Sequence, residues 1–222
     1  MTQRRPTMLS ALIFTAVMLS HTSARAQSTG QKQAHLNARG DRVFGTLPRD
    51  DKAAANAFES IIPVLRHPRC MNCHSTGDFP RQGDDSHRHT MNVPRGPDGD
   101  GVAALKCSTC HQDHNVEGMH TPPGSPDWHL PAPKIPMIWE GLTNRQLCEL
   151  FKDRRQNGDR DVDQIVEHMN TPLVRWGWNP GEGRTPVPMP EADFMSSVKR
   201  WAASGAACPN LLPTSATPAQ GK

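Results

Sequence analysis

The sequence predicts a mainly α-helical chain with extensive irregular loops, folded compactly around bound groups rather than around a large apolar core. Three observations carry this. Four short stretches place apolar residues every three or four positions, the period of a helix packed on one face. Residues 75–138 have almost no apolar period and are dominated by Gly, Pro, His and Asp, as in GDDSHRHTMNVPRGPDGDG and TPPGSPDWHLPAPKIP. A loop that long without structure of its own is improbable inside a compact domain. The third observation removes the difficulty: the pattern C-x-x-C-H occurs twice, as CMNCH at 70–74 and CSTCH at 107–111. A chain tied to bound groups at these points needs less apolar packing.

Residues 1–26 read as an export signal. Arg4 and Arg5 form a basic start, residues 8–19 are mostly apolar, and Ala24-Arg25-Ala26 is a small-x-small cleavage site. The apolar run is too short for a retained membrane span. The Arg4-Arg5 pair hints at twin-arginine export, but no apolar motif follows it closely, which favours the general secretory route. Processing would leave 196 residues, room for one or two domains. It also removes three arginines and no acid, so the remaining 22 basic and 22 acidic side chains balance. With no clustered Lys/Arg block either, the basic pI is no argument for nucleic acid.

Residues 27–50 are polar and aperiodic, a flexible lead-in. A helix is expected over 53–65, with Phe58, Ile61, Ile62 and Leu65 on one face and Pro63 kinking or ending it. Thr143 is placed to cap a helix carrying Leu147, Leu150 and Phe151, and Asp161 one carrying Val162, Ile165, Val166 and Met169. The last helix spans 191–204, with Phe194, Val198, Trp201 and Ala202 inward and Gly205 as its stop. Residues 51–209 thus form the domain, and 210–222 are a low-complexity tail. Core material is thin: no Tyr, 5 Trp and 6 Phe, against 21 Pro and 17 Gly. A bound apolar group would make up the shortfall.

Six cysteines in an exported chain are not expected to stay free thiols. Cys148 and Cys208, outside the two motifs, would pair in an oxidising compartment; two buried thiols are the other reading. For the motif cysteines three chemistries compete. Zinc uses four thiolates, and the two C-x-x-C pairs, 33 residues apart, are within reach of one site. It gives no reason for a His behind each pair. Thiol exchange needs one pair, normally in a βαβ setting that is missing here. Haem attachment accounts for every position. Two thiols on a helical turn meet the two vinyl groups, and the next residue is an imidazole that reaches the iron.

On Cys70, Cys73 and His74, and on Cys107, Cys110 and His111, the chain resembles the c-type cytochromes. Over about residues 53–209, HPRCMNCH, CSTCHQ, PDWHLP, LVRWGWNPGEGRTPVP and GAACP look like a group of small exported dihaem cytochromes. Some of these are named for association with molybdenum-hydroxylase enzymes of the isoquinoline oxidoreductase type. The resemblance implies two haem c groups and redox partner proteins, a dehydrogenase of that type among them. It also implies a periplasmic electron carrier rather than an enzyme. Similarity of a carrier does not fix what it serves. The 32 residues between His74 and Cys107 are too few for two tandem single-haem domains. Both haems should share one domain, with the first and last helices bracketing them.

The sixth iron ligands are the open part of the sequence. Beyond the motifs, the exported chain holds His35, His67, His87, His89, His114, His120, His129 and His168. His89, followed by apolar Met91 and Val93, and His129, between Trp128 and Leu130, are the first choices. His87, His168 and His67 are the alternatives; Met119, Met137 and Met189 would instead give thioether ligation and a higher potential. Trp176, Trp178 and Arg184 carry donors that suit haem carboxylates. The rival functions are a dihaem peroxidase-like enzyme with one open iron site, and a haem-bearing sensor or subunit of a larger complex.

Overall fold

A computed structural model describes residues 48–210, together with a two-residue antiparallel ribbon pairing His35–Leu36 with Arg42–Val43. The expected signal segment, most of the lead-in and all but the first residue of the tail lie outside the described residues.

Helix α1 (Asp51–Leu65) starts where Asp50 accepts the N–H of Ala53 at 2.9 Å, satisfying one of the free donors of the first turn. Pro63 does not stop it at once. Leu65 closes the helix two residues later, because only the last turn is deprived of a donor. α2 (Pro68–Met71) follows almost directly, capped by His67, with Pro68 in the first helical position, where its missing N–H costs nothing. α3 (Asn144–Lys152) and α4 (Val162–His168) both begin with capping boxes, Thr143 with Gln146 and Asp161 with Gln164. α5 (Pro172–Arg175) is one turn. α6 (Glu191–Ala203) ends on Gly205 at φ +101°, with the N–H of Ala206 returning to the Trp201 carbonyl at 2.9 Å.

The helices form one layer of the molecule. α1 packs along α6, α4 also lies on α6, and α3 bridges α1 and α4. Phe58, Ile61, Leu65, Leu147, Phe151, Phe194, Val198 and Trp201 are all buried there. α1 and α6 therefore do not bracket the two motifs; their apolar faces cover each other. Cys148 of α3 and Cys208 beyond α6 are disulfide-bonded, with Cα atoms 5.6 Å apart.

The stretch between α2 and α3 is irregular, as expected, but not without order. Two antiparallel ribbons pair Arg81–Gln82 with His87–Arg88 and Gly101–Val102 with Leu105–Lys106. Main-chain carbonyls are gathered by arginines. Arg95, 2% exposed, donates to the carbonyls of Pro131 (2.7 Å) and Gly77 (3.2 Å). Arg66 donates to those of Trp139 (2.9 Å) and Leu142, holding the end of α1 to the segment before α3. Gly99, at φ +88°, lets the carbonyl of Leu130 approach to where a Cβ would be 2.0 Å away. A mixed helical chain with few, short strands is the result, and no helix among the described residues is long and apolar enough to cross a membrane.

Candidate haem-attachment site

Both C-x-x-C-H motifs adopt the same local turn. The N–H groups of Cys73 and His74 both reach the Cys70 carbonyl at 3.2 Å. Those of Cys110 and His111 reach the Cys107 carbonyl at 3.2 and 2.9 Å. The first turn continues α2; the second is a 3₁₀ turn, Cys107–Thr109, fed by the second ribbon. In each, the first cysteine and the histidine are a helical turn apart.

The two histidines are also mounted alike. Nδ1 of His74 lies 2.8 Å from the carbonyl of Met137, and Nδ1 of His111 lies 2.7 Å from that of Pro123. A carbonyl only accepts, so each Nδ1 carries the proton and each Nε2 is left as the lone-pair nitrogen. Trp139 stacks on His74 with ring centres 3.7 Å apart and planes 2° from parallel. Trp128 does the same on His111, at 4.6 Å and 6°. Burial keeps both imidazoles neutral: it lowers His74 to about 4 and His111 below its ordinary value. Neutral imidazole is the form that binds a metal.

Burial pushes the Cys70 thiol up to about 12 and the Cys73 thiol up to about 11. Burial thus favours the protonated form of both thiols of the first motif. Among the described residues no three His, Cys, Asp or Glu side chains form a group that could hold a metal ion.

A cavity of about 770 Å³ opens beside the second motif, inside the range of about 300–1,000 Å³ usual for cofactor pockets. Cys107, Cys110 and His111 line it, as do Cys73 and Asn72 of the first motif; Cys70 and His74 do not. Its walls are apolar at Val93, Leu130, Pro122, Pro123 and Trp128, and cationic at Arg69, Arg81 and Arg184. Several buried polar atoms nearby have no protein partner: Arg69 Nε and Asn72 Oδ1 in the cavity wall, and Ser75 Oγ and Trp139 Nε1 beside His74. Buried polar atoms are normally satisfied, so these fit a polar group from outside the chain. At the second motif, paired thiols on a turn, an imidazole held through Nδ1, apolar walls and cationic donors meet in one cavity, a setting that would fit a covalently held haem.

The expected sixth ligands are spread around this cavity. His89 lies in its wall, ring centre 6.2 Å from that of His111. His129 lines it too, its Nδ1 bonded to the Asp127 carbonyl at 2.6 Å, so that Nε2 is again free. His87, also in the wall, pairs with Asp85 at 2.6 Å. His168 ends α4 within electrostatic reach of His74 and His129, and burial lowers it to about 4. His67 is occupied as the cap of α2. His120 borders the cavity against Gly183. Of the donors suggested for haem carboxylates, Arg184 reaches the wall and also donates to the Thr121 carbonyl at 2.5 Å. Trp176 lines the wall with its indole N–H on Asn115 Oδ1, while Trp178 donates to Met189 and packs on Phe194 in the helical core.

Sequence reasoning missed the two carbonyls that hold the histidines, because any residue type supplies one. It also missed Asn115, whose Oδ1 accepts from both Gly124 and Trp176 at 3.0 Å and so steadies the Pro123 segment. No family model, no curated protein and no solved structure matches the chain.

Proposed function

We propose that the chain is a dihaem c-type cytochrome of the bacterial periplasm, relaying single electrons between a dehydrogenase and a respiratory acceptor. The observation that carries this reading is the matched setting of His74 and His111. Each sits behind a C-x-x-C turn, with Nδ1 committed to a main-chain carbonyl and Nε2 left for a metal. When bound, haem iron supplies one-electron cycling between ferrous and ferric.

The chain's own residues would do the rest. Cys70 with Cys73, and Cys107 with Cys110, would each bind one haem covalently, and His74 and His111 would each give its iron a ring nitrogen. His89 and His129 are the first candidates to give each iron a second ring nitrogen, with His168, His87 and His67 behind them. The Cys148–Cys208 disulfide agrees with an oxidising compartment. The resemblance of the motif segments to cytochromes associated with molybdenum hydroxylases nominates a dehydrogenase of that type as donor.

Potentiometric titration of the purified protein tests the function. Two one-electron waves, low-spin spectra and reduction by such a dehydrogenase are expected. A high-spin component with peroxide turnover would replace the carrier by a peroxidase-like enzyme. Co-purification in a complex without independent redox cycling would replace it by a haem-bearing subunit.

A further inference from the structure

We infer that Trp128 and Trp139 are the positioning residues of the two motif histidines, each fixing the plane in which its imidazole meets the iron; the inference rests on the dihaem reading above. The terminal torsion of a histidine side chain is broad, so its own rotamer does not set the ring plane. A hydrogen bond from Nδ1 pins one point of the ring and leaves the plane free to swing. A flat surface parallel to the ring, at contact distance, removes that freedom.

Both histidines have both constraints. His74 has the Met137 carbonyl at 2.8 Å and Trp139 at 3.7 Å and 2°; His111 has the Pro123 carbonyl at 2.7 Å and Trp128 at 4.6 Å and 6°. The pairs come from unlike segments. Met137 and Trp139 are two residues apart, Pro123 and Trp128 five apart. A shared local motif therefore does not explain the repetition, whereas a shared demand at the imidazole does.

The two mounts differ in what stands behind them. Trp139 is 4% exposed, its main-chain N–H donates to the His74 carbonyl at 2.8 Å, and its ring meets Phe151 at 5.3 Å, joining His74 to the helical core. Trp128 is only half-buried and rests edge-on against Trp176, at 4.9 Å and 88°, which Asn115 holds in turn. Substitution at Trp128 thus disturbs loop contacts rather than the core. Ligand orientation tunes a metal through its outer partners, so a released ring plane is readable at the iron.

The test uses the full holoprotein and the variants W128L and W128F, each checked by intact mass for two haems. In W128L the ferric electron paramagnetic resonance g-values and the midpoint potential of one haem are expected to shift, those of the other staying at wild-type values. W128F, which keeps a flat face, should restore both. Where W128L is not recovered folded, W176L removes the support behind Trp128 and should broaden the same g-values. Two haems with unaltered g-values in these variants would overturn the positioning role alone. Wild-type protein without haem would sink the dihaem reading and this role together.

Discussion

His89 and His111 lie in the wall of one cavity with their ring centres 6.2 Å apart. His89 is the first candidate to give a haem iron at the second motif a further ring nitrogen; its Nδ1 accepts the N–H of Met91 at 3.3 Å, so ligation through Nε2 would require that contact to give way. H89A should turn one haem high-spin and leave the other low-spin. H89M should raise the midpoint potential of that haem, because a thioether replaces an imidazole. Two unaltered low-spin haems in H89A would pass the role to His129 or His168.

Glu140 clamps the loop behind the first motif. It accepts from the N–H of Thr76 at 2.9 Å and its hydroxyl at 2.5 Å, and pairs with Arg81 at 2.9 Å. The Thr76 hydroxyl is the main cause of a carboxyl held below its ordinary value. A depressed folded value means that the stabilisation is complete above the unfolded value of about 4.3 and is lost as pH falls through the folded one. The pair is partly solvated, so E140Q should cost no more than about 1 kcal/mol at neutral pH. Thermal unfolding followed from pH 7 downward should show the gap between wild type and E140Q closing in acid. A gap that widens there would contradict the clamp.

Breaking the Cys148–Cys208 bond, which closes a separation of 60 residues, should cost roughly 4 kcal/mol or somewhat less in the chain-entropy view. Denaturant unfolding of the double serine variant measures it. The spectrum of any bound haem should not change, since the bond ties α3 to the end of α6 and both its cysteines belong to the helical core.

Arg95 is the internal tie of the long irregular stretch. R95A would leave the part-buried carbonyls of Pro131 and Gly77 without their donor, at about 1 kcal/mol. Limited proteolysis should then cut within residues 75–138 faster than in wild type, with the helical layer surviving longer. Equal rates would place the tie elsewhere.

What could be read from the sequence was whatever is encoded locally. Thr143 and Asp161 are caps because their side chains compete for the first N–H groups. Gly205 ends α6 because it tolerates a positive φ. α2 and α5 escaped because four residues cannot display a period, and the ribbons because two residues cannot alternate. The site divides the same way. Its thiols and imidazoles stand out by spacing, while the stacking of His74 on Trp139 joins positions 65 residues apart and leaves no local mark. The role of Arg95 leaves no mark either, since burial of a charge by surrounding carbonyls has no signature in neighbouring residues.

Intact-mass measurement on chain denatured and stripped with acidified acetone tests the central claim most directly, read beside a form with Cys107 and Cys110 changed to alanine. Two covalent haem increments on the wild-type chain and one on the variant are the expected result. A wild-type chain at its bare polypeptide mass, with no pigment retained, would contradict it.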